Sequence, residues 1–461
     1  MFKKLIGSKE FYKRIIAITI PILIQNVITH FVSLIDNIMV GQVGTEQMSG
    51  VAIVNQLIFV FNLAIFGGTA GAGIFTAQYF GKNDNKGVRD TFRAKIIIVS
   101  AITIFTALLF YFFCEPLISL FLHEGEEGLD LAKTLAHGKS YIYIMMLQLP
   151  AFAFAQVYAS TLRETGKTVL PMISGIVAVI VNVTLNYVLI FGHFGAPALG
   201  IEGAAIATVI ARYSELFVVA YFTHKQKDVN LFIEDAYKSF KVPTPLVKDI
   251  FKKGAPLMIN ELLWSLGMTT QLQCYSVRGL EVVSAFNISS TVSNLFFCAF
   301  FAFGTSISII IGQHLGAGNI EKAKDENAMI IAFVVVICAL IGVVMALLAP
   351  IIPEAYNTIP TVKKLACEFL LVCAILMPFI SFAHCTYFTL RTGGNTITTF
   401  VFDSGFMWCI CIPLAYVLSR FTSMHILMLY TIIQSLEVVK CAIGYIYLKK
   451  GKWAKNLVEN I

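Results

Sequence analysis

Four oxygen-bearing side chains in the first half of this sequence, Asp36, Asn182, Asn186 and Thr208, have types and spacings that suit a small cation. One carboxylate joined by amide and hydroxyl oxygens is a ligand set for a hard ion such as Na⁺, and the same carboxylate alone can take up and release a proton. Asn182 and Asn186 are four residues apart, so on a helix they share a face. In the second half, Glu261, Gln271 and Asp403 form a sparser polar set. His30, His314 and His384 stand apart from other ligating residues, and each is expected to be a core residue rather than a ligand. Ten cysteines are scattered with no Cys-x-x-Cys pair and no His/Cys spacing that suits zinc. No cofactor or structural metal is therefore expected, and no catalytic residue is assigned.

The elements that must position these groups are apolar. Of 461 residues 57% are hydrophobic and 13% charged, with a mean hydropathy of +0.78, whereas a soluble chain carries about 25% charge. That excludes an ordinary soluble enzyme. A helix needs about 20 apolar residues to cross a bilayer, and the sequence offers twelve such stretches, near 14–40, 47–76, 95–115, 138–162, 169–192, 199–223, 254–277, 282–311, 327–349, 364–390, 396–419 and 425–448. The expected fold class is an all-α membrane protein with twelve transmembrane helices. The first stretch is too long for a signal-peptide core and lacks a small-residue cleavage site, so it is read as retained.

Basic loops stay in the cytoplasm. Placing the N-terminus inside assigns most of the 34 basic residues to cytoplasmic segments, among them Lys3, Lys4, Lys82, Arg89, Arg93, Lys225, Lys252 and Lys449. The acidic run from Glu124 to Asp130 then faces outward. The net charge of +7 is thus a topology signal, and no nucleic-acid partner is expected. In this topology Asp36, five residues before Gly41, lies about 7.5 Å inside the outer end of the first helix. Asn186, Asn182 and Thr208 fall in the same outer half, while Glu261 and Asp403 fall in the cytoplasmic third of the second half. Arg212 and Lys440 are basic residues within helices, and with Glu215 and Glu437 three residues away each is expected to pair on its own helix.

The polar connection at 224–250, with Lys225, Asp228, Glu234, Asp235, Pro243 and Pro245, divides the chain. It separates a six-helix lobe over 1–223 from another over 251–461. A shift of 235 positions aligns 21–90 with 256–325 without a gap, so that Pro21 meets Pro256, Gly44 meets Gly279, Gln78 meets Gln313 and Gly81 meets Gly316. A second landmark repeats in the same order: Leu162-Arg163-Glu164-Thr165-Gly166-Lys167-Thr168 returns as Leu390-Arg391-Thr392-Gly393-Gly394-Asn395-Thr396. Two homologous halves follow, and substrate sites of such parallel repeats lie at the repeat interface. The mate of Asp36 is Gln271, so the halves are chemically unequal and ion coupling is expected mainly in the first. No phosphate-binding loop of the G-x-x-x-x-G-K-[ST] type occurs, which leaves an ion gradient as the energy source.

In order and spacing, the sequence resembles the multidrug and toxic compound extrusion (MATE) family over essentially its whole length. The resemblance is carried by Asp36-Asn37-Ile38-Met39-Val40-Gly41, Gly68 to Gly73, Gln78-Tyr79-Phe80-Gly81-Lys82, the Leu-Arg-x-x-Gly-x-Thr loops, Asn182-x-x-x-Asn186, and Gly203-Ala204-Ala205-Ile206-Ala207-Thr208. It implies a V-shaped transporter of two six-helix lobes that exports amphiphilic, often cationic, compounds in exchange for H⁺ or Na⁺. It also implies that Asp36, Asn182, Asn186 and Thr208 form a cation-binding cluster, with Asn186 standing where some members carry a second Asp. Its expected partners are small-molecule substrates and membrane lipids, and it is expected to act as a monomer in the cytoplasmic membrane. A flippase for a lipid-linked precursor shares the architecture, but should need free cations at membrane depth to hold a pyrophosphate. A channel ordinarily gains nothing from two equivalent lobes in one chain.

The charge distribution predicts that both termini and the 77–94, 224–250 and 313–326 loops are cytoplasmic. An impermeant thiol reagent applied to intact cells should label Glu126→Cys and spare Asp235→Cys in a cysteine-free background; the reverse pattern would invert the topology.

Overall fold

The computed structural model describes residues 5–121, 130–356 and 358–459, apart from the side chains at 32–34, 37, 38 and 45. Lys3, Lys4, the acidic run at 124–129 and the side chains of Asn37 and Ile38 lie outside that set. Among the described residues there is no strand. The helices in chain order are α1 (Lys9–Gly41), α2 (Thr45–Gly81), α3 (Asn85–Ser119), α4 (Leu131–Met145), α5 (Gln148–Glu164), α6 (Val169–Phe191) and α7 (Gly200–Lys225). Then come α8 (Thr244–Ser276), α9 (Leu280–Gly316), α10 (Ile320–Leu348), α11 (Pro360–Thr392), α12 (Thr396–Phe400), α13 (Ile412–Phe421) and α14 (Ile426–Lys450).

Among the described residues, ten spans are long and apolar enough to cross a membrane, one of them running from α12 through α13, and α4 with α5 adds an eleventh if counted as one bent span. The remaining long helix is α8, whose 33 residues would reach about 50 Å. Asn260, Glu261, Gln271 and Gln273 make it more polar than the others. The sequence pattern predicts a single helix at 138–162. Two are found instead, bent by 46°. Pro150 has no N–H to give and its ring crowds the carbonyl of Met146, the residue that caps α4, so the helix restarts there. Between α12 and α13 the backbone widens into π-helical turns over Val401–Gly405 and Met407–Cys411, which re-aim Asp403 and Ser404.

The chain packs into two compact units. One holds the chain up to Leu23, Ala77–Asn83, and everything from Phe251 onward; the other holds Ile24–Thr76 and Asp84–Ile250. Helices α1 and α2 thus each contribute to both. Within the unit built on the second half, α9 and α11 pack together, and α10 and α14 flank α11. One end of it is closed by a reciprocal contact: a Cβ on Gly81 would collide with the backbone carbonyl of Gln313, and one on Gly316 with that of Gln78. The segment after α14 turns back over this end. Leu457 N donates to Gln78 Oε1 at 2.7 Å, Lys82 Nζ donates to the carbonyl of Val458 at 2.7 Å, and Trp453 and Val458 are buried.

Within the other unit, α6 packs on α7 and α5 on both α3 and α7. The segment after α7 folds back in the same manner. Phe232, Ile233 and Ala236 are buried, and Arg93 donates to the carbonyls of Ala236 and Asp235 at 2.8 and 2.6 Å.

The glycine contact at Gly81 and Gly316 involves backbone that cannot yield. Gly81→Ala and Gly316→Ala are each expected to lose about 1–3 kcal/mol of stability. Gly405→Ala, whose added Cβ meets nothing nearer than 3.6 Å, serves as the tolerant control, with thermal unfolding in detergent as the measurement.

Candidate functional site

The first-half residues are delivered by three helix ends. α1 ends at Gly41, five residues beyond Asp36, and α6 ends at Gly192, whose φ of 75° suits the left-handed turn that stops a helix. α7 then returns beside α6, and the approach is close because position 203 is glycine: an added Cβ there would sit 2.6 Å from the carbonyl oxygen of Leu189. That closeness brings Thr208 to the Asn182 face of α6.

All four side chains converge. Asn186 Nδ2 donates to Asp36 Oδ1 at 2.7 Å, and the Asn182 amide lies against Thr208 Oγ1 at 3.3 Å. Asn182 and Asn186 are 6% and 1% exposed, so their polar atoms must find partners inside the protein. One orientation of the Asn182 amide satisfies both its oxygen and its nitrogen. With its nitrogen turned to Asp36 it donates to both carboxylate oxygens at 2.9 and 3.0 Å while its oxygen accepts from Thr208. With its oxygen turned that way it accepts from Asn186 Nδ2 at 3.2 Å, and an oxygen so near Asp36 requires a proton or a cation between them. Asn186 Oδ1 is buried with no hydrogen-bond partner among the described residues, an acceptor left free for such a cation.

Of two further neighbours, one escaped the sequence reading and the other was expected there only as a partner of Glu215. Tyr141, 4% exposed on α4, stands close enough to act electrostatically on Asp36, and nothing in its apolar surroundings marks it out in the sequence. Arg212 sits one turn beyond Thr208 on α7, with Nη1 2.8 Å from Glu215 Oε2 as its i,i+3 spacing predicts.

The second-half residues divide. Glu261 Oε1 accepts from Tyr387 at 3.1 Å and lies 4.0 Å from Arg391. The preceding residue, Asn260, is 1% exposed and donates to Asp403 Oδ2 at 3.0 Å while its oxygen accepts from Ser404 Oγ at 2.7 Å. Lys440 Nζ donates to Asp403 Oδ1 at 2.8 Å and stands 3.8 Å from Glu437, so its main partner is across the bundle rather than on its own helix. Gln271 is elsewhere, about 15 Å along α8 from Glu261, and donates to Tyr275 at 2.8 Å. Glu261 and Asp403 therefore share one network and Gln271 does not. His314, expected to be an isolated core residue, contacts Glu326 at 2.9 Å. His384 lies among the rings of Phe300, Phe301, Tyr387 and Phe388.

The sequence profile of the MatE family matches this chain twice, over residues 21–188 and 256–417. A protein of Thermotoga maritima called probable multidrug resistance protein NorM is 23% identical over 453 residues, covering 97% of this chain and 94% of that one. Multidrug resistance protein MdtK of Pectobacterium atrosepticum is 22% identical and covers 88% of this chain and 87% of its own. Among solved structures, an outward-facing multidrug resistance transporter of the MATE family superposes with a TM-score of 0.86 at 17% identity, covering 98% of both chains. A Pyrococcus furiosus transporter of the same superfamily, described as having a binding pocket of reverse polarity, gives a TM-score of 0.80 at 18% identity over 98% of both chains. At those identities the structures speak for the fold.

The Asp403 and Lys440 pair should be costly to break and cheap to replace. Lys440→Met strands a buried carboxylate and is expected to lose about 3–5 kcal/mol in denaturant unfolding, while Lys440→Met with Asp403→Leu recovers most of it.

Proposed function

Because this chain belongs to the MatE family, the multidrug and toxic compound extrusion transporters, we propose that it exports small organic compounds, amphiphilic or cationic, in exchange for H⁺ or Na⁺. The observation that carries this reading is the Asp36 cluster, a carboxylate surrounded by neutral amide and hydroxyl groups with one acceptor oxygen to spare. Neutral donors can orient Asp36 when a cation compensates its charge, and the Asn182 amide can turn to accept from it when it is protonated. A site that tolerates both states can load and unload an ion, which a coupling site must do. Export then follows from alternating access: the ion and the substrate favour opposite-facing states, so each drives release of the other.

In this reading the two homologous six-helix halves, 1–223 and 251–461, are joined by the 224–250 linker. The protein acts without a cofactor or chemical catalysis, as a monomer in the cytoplasmic membrane with both termini inside. The network of Glu261 and Asp403 is a second polar site, with Gln271 outside it. The flippase alternative is weakened, since Arg212, Lys440 and the buried Lys95 are paired with Glu215, Asp403 and Glu164.

Asp36→Asn keeps the volume of the side chain and loses the charge. It is expected to fold and bind substrate normally while gradient-driven export falls at least about 100-fold, in line with losing an essential proton-transfer group. Proteoliposomes under an imposed proton or sodium gradient give the measurement, and wild-type export against the gradient would remove Asp36 from the mechanism.

A further inference from the structure

A carboxylate deep in a low-dielectric interior cannot stay ionised without a compensating charge. In this structure the hydrogen bonds to Asp36 come from the neutral amides of α6, so compensation must come from a bound ion or from another part of the chain. α6 offers Asn182 and Asn186, and α4 offers the hydroxyl of Tyr141. α7 offers Arg212, one turn beyond the Thr208 hydroxyl that contacts Asn182.

Arg212 is built for two positions. Thr208, Arg212 and Glu215 follow one face of α7 at i, i+4 and i+7, so the guanidinium lies between the Asp36 cluster above and Glu215 below. It contacts Glu215 through a single nitrogen at 2.8 Å, without the bidentate fork that would fix it, and its carbon rests 5.2 Å from the centre of the Phe152 ring. When it leaves Glu215, that buried acid is not abandoned, because Arg163 is a second cation whose charge reaches Glu215.

The duplication supplies an internal control. The offset that relates Leu162 to Leu390 also relates Arg212 to Lys440, so both halves place a cation at the same point of the last helix. The second half has Gln271 in place of Asp36 and ties its cation to Asp403 and Glu437. The first half keeps Asp36 and leaves its cation beside one acid and within reach of another.

We propose that Arg212 is the resident counter-ion of the first half: it pairs with Glu215 while Asp36 holds the coupling ion, and moves to the Asp36 carboxylate when the ion leaves. This rests on the coupling role of Asp36 and adds the competitor that expels the ion. No bond is made or broken; one monovalent cation replaces another at the carboxylate, and the site never stands as a bare buried anion.

The test is the concentration of driving ion that gives half-maximal export of ethidium, as a lipophilic cation, from proteoliposomes. Removing the competitor with Arg212→Gln should lower that concentration about tenfold and reduce maximal turnover, because the ion binds more tightly and leaves more slowly; Arg212→Lys should stay near wild type. Releasing the competitor with Glu215→Gln should raise it about tenfold. Fixed charges acting through space would make the two shifts additive, so that Arg212→Gln with Glu215→Gln cancels toward wild type; a mobile competitor makes that double variant behave as Arg212→Gln alone, and additive shifts overturn the proposal. Shifts in the same direction, or none, in folded protein overturn the counter-ion role while leaving the coupling reading intact. If Asp36→Asn still exports against the gradient, the coupling reading fails and the proposal goes with it.

Discussion

Every ionisable group placed inside a hydrocarbon layer has to be neutralised where it stands, and the interior of this protein is arranged around that requirement. Lys95 is the plainest case. It is fully buried on α3, and its ammonium is satisfied by Ser160 and Thr161, each at 3.1 Å, together with the carboxylate of Glu164. Glu164 in turn lies where a side chain on Gly73 would have to be, so the glycine of α2 is the space the acid occupies. The same position in the second half shows that the fold itself does not demand the charge. The mates of Lys95 and Gly73 under the 235-residue shift are Ile330, fully buried, and Ser308; the mate of Glu164, under the offset that relates Leu162 to Leu390, is Thr392, which is joined to Ser308 by a 3.0 Å hydrogen bond.

What could be read from sequence followed the strength of the local signal. A run of twenty apolar residues and a carboxylate inside it are visible one residue at a time, so the helices and Asp36 were legible. Asn182 and Asn186 were legible because helical periodicity puts them together. Asn260 and Tyr387 were not, since their partners Asp403 and Glu261 lie on other helices and no spacing along the chain announces the contact. Lys440 had an acid at i−3 and took the better one across the bundle, a choice that only tertiary packing can make. The passage of α1 and α2 from one compact unit to the other was likewise invisible: Pro21 near the crossing in α1 is suggestive, but α2 crosses between Thr76 and Ala77 with no break in its pattern.

The two halves thus solve one electrostatic problem in two ways, and the difference separates a fixed charge from an exchangeable one. Asp403 is held by an ammonium at 2.8 Å and an amide at 3.0 Å, and a carboxylate so occupied has no free place for a mobile cation. Among the described residues, the hydrogen bonds to Asp36 come from amides. An amide can turn to present either oxygen or nitrogen, so the Asn182 side chain can follow the charge on Asp36 without moving a helix. A permanent salt bridge in the same place would leave no room for an incoming ion, whereas the cation one turn beyond Thr208 is paired with Glu215 and not fixed on Asp36. The second half thus fixes its buried carboxylate with a salt bridge, while the first surrounds its own with neutral donors and keeps Arg212 one turn beyond Thr208.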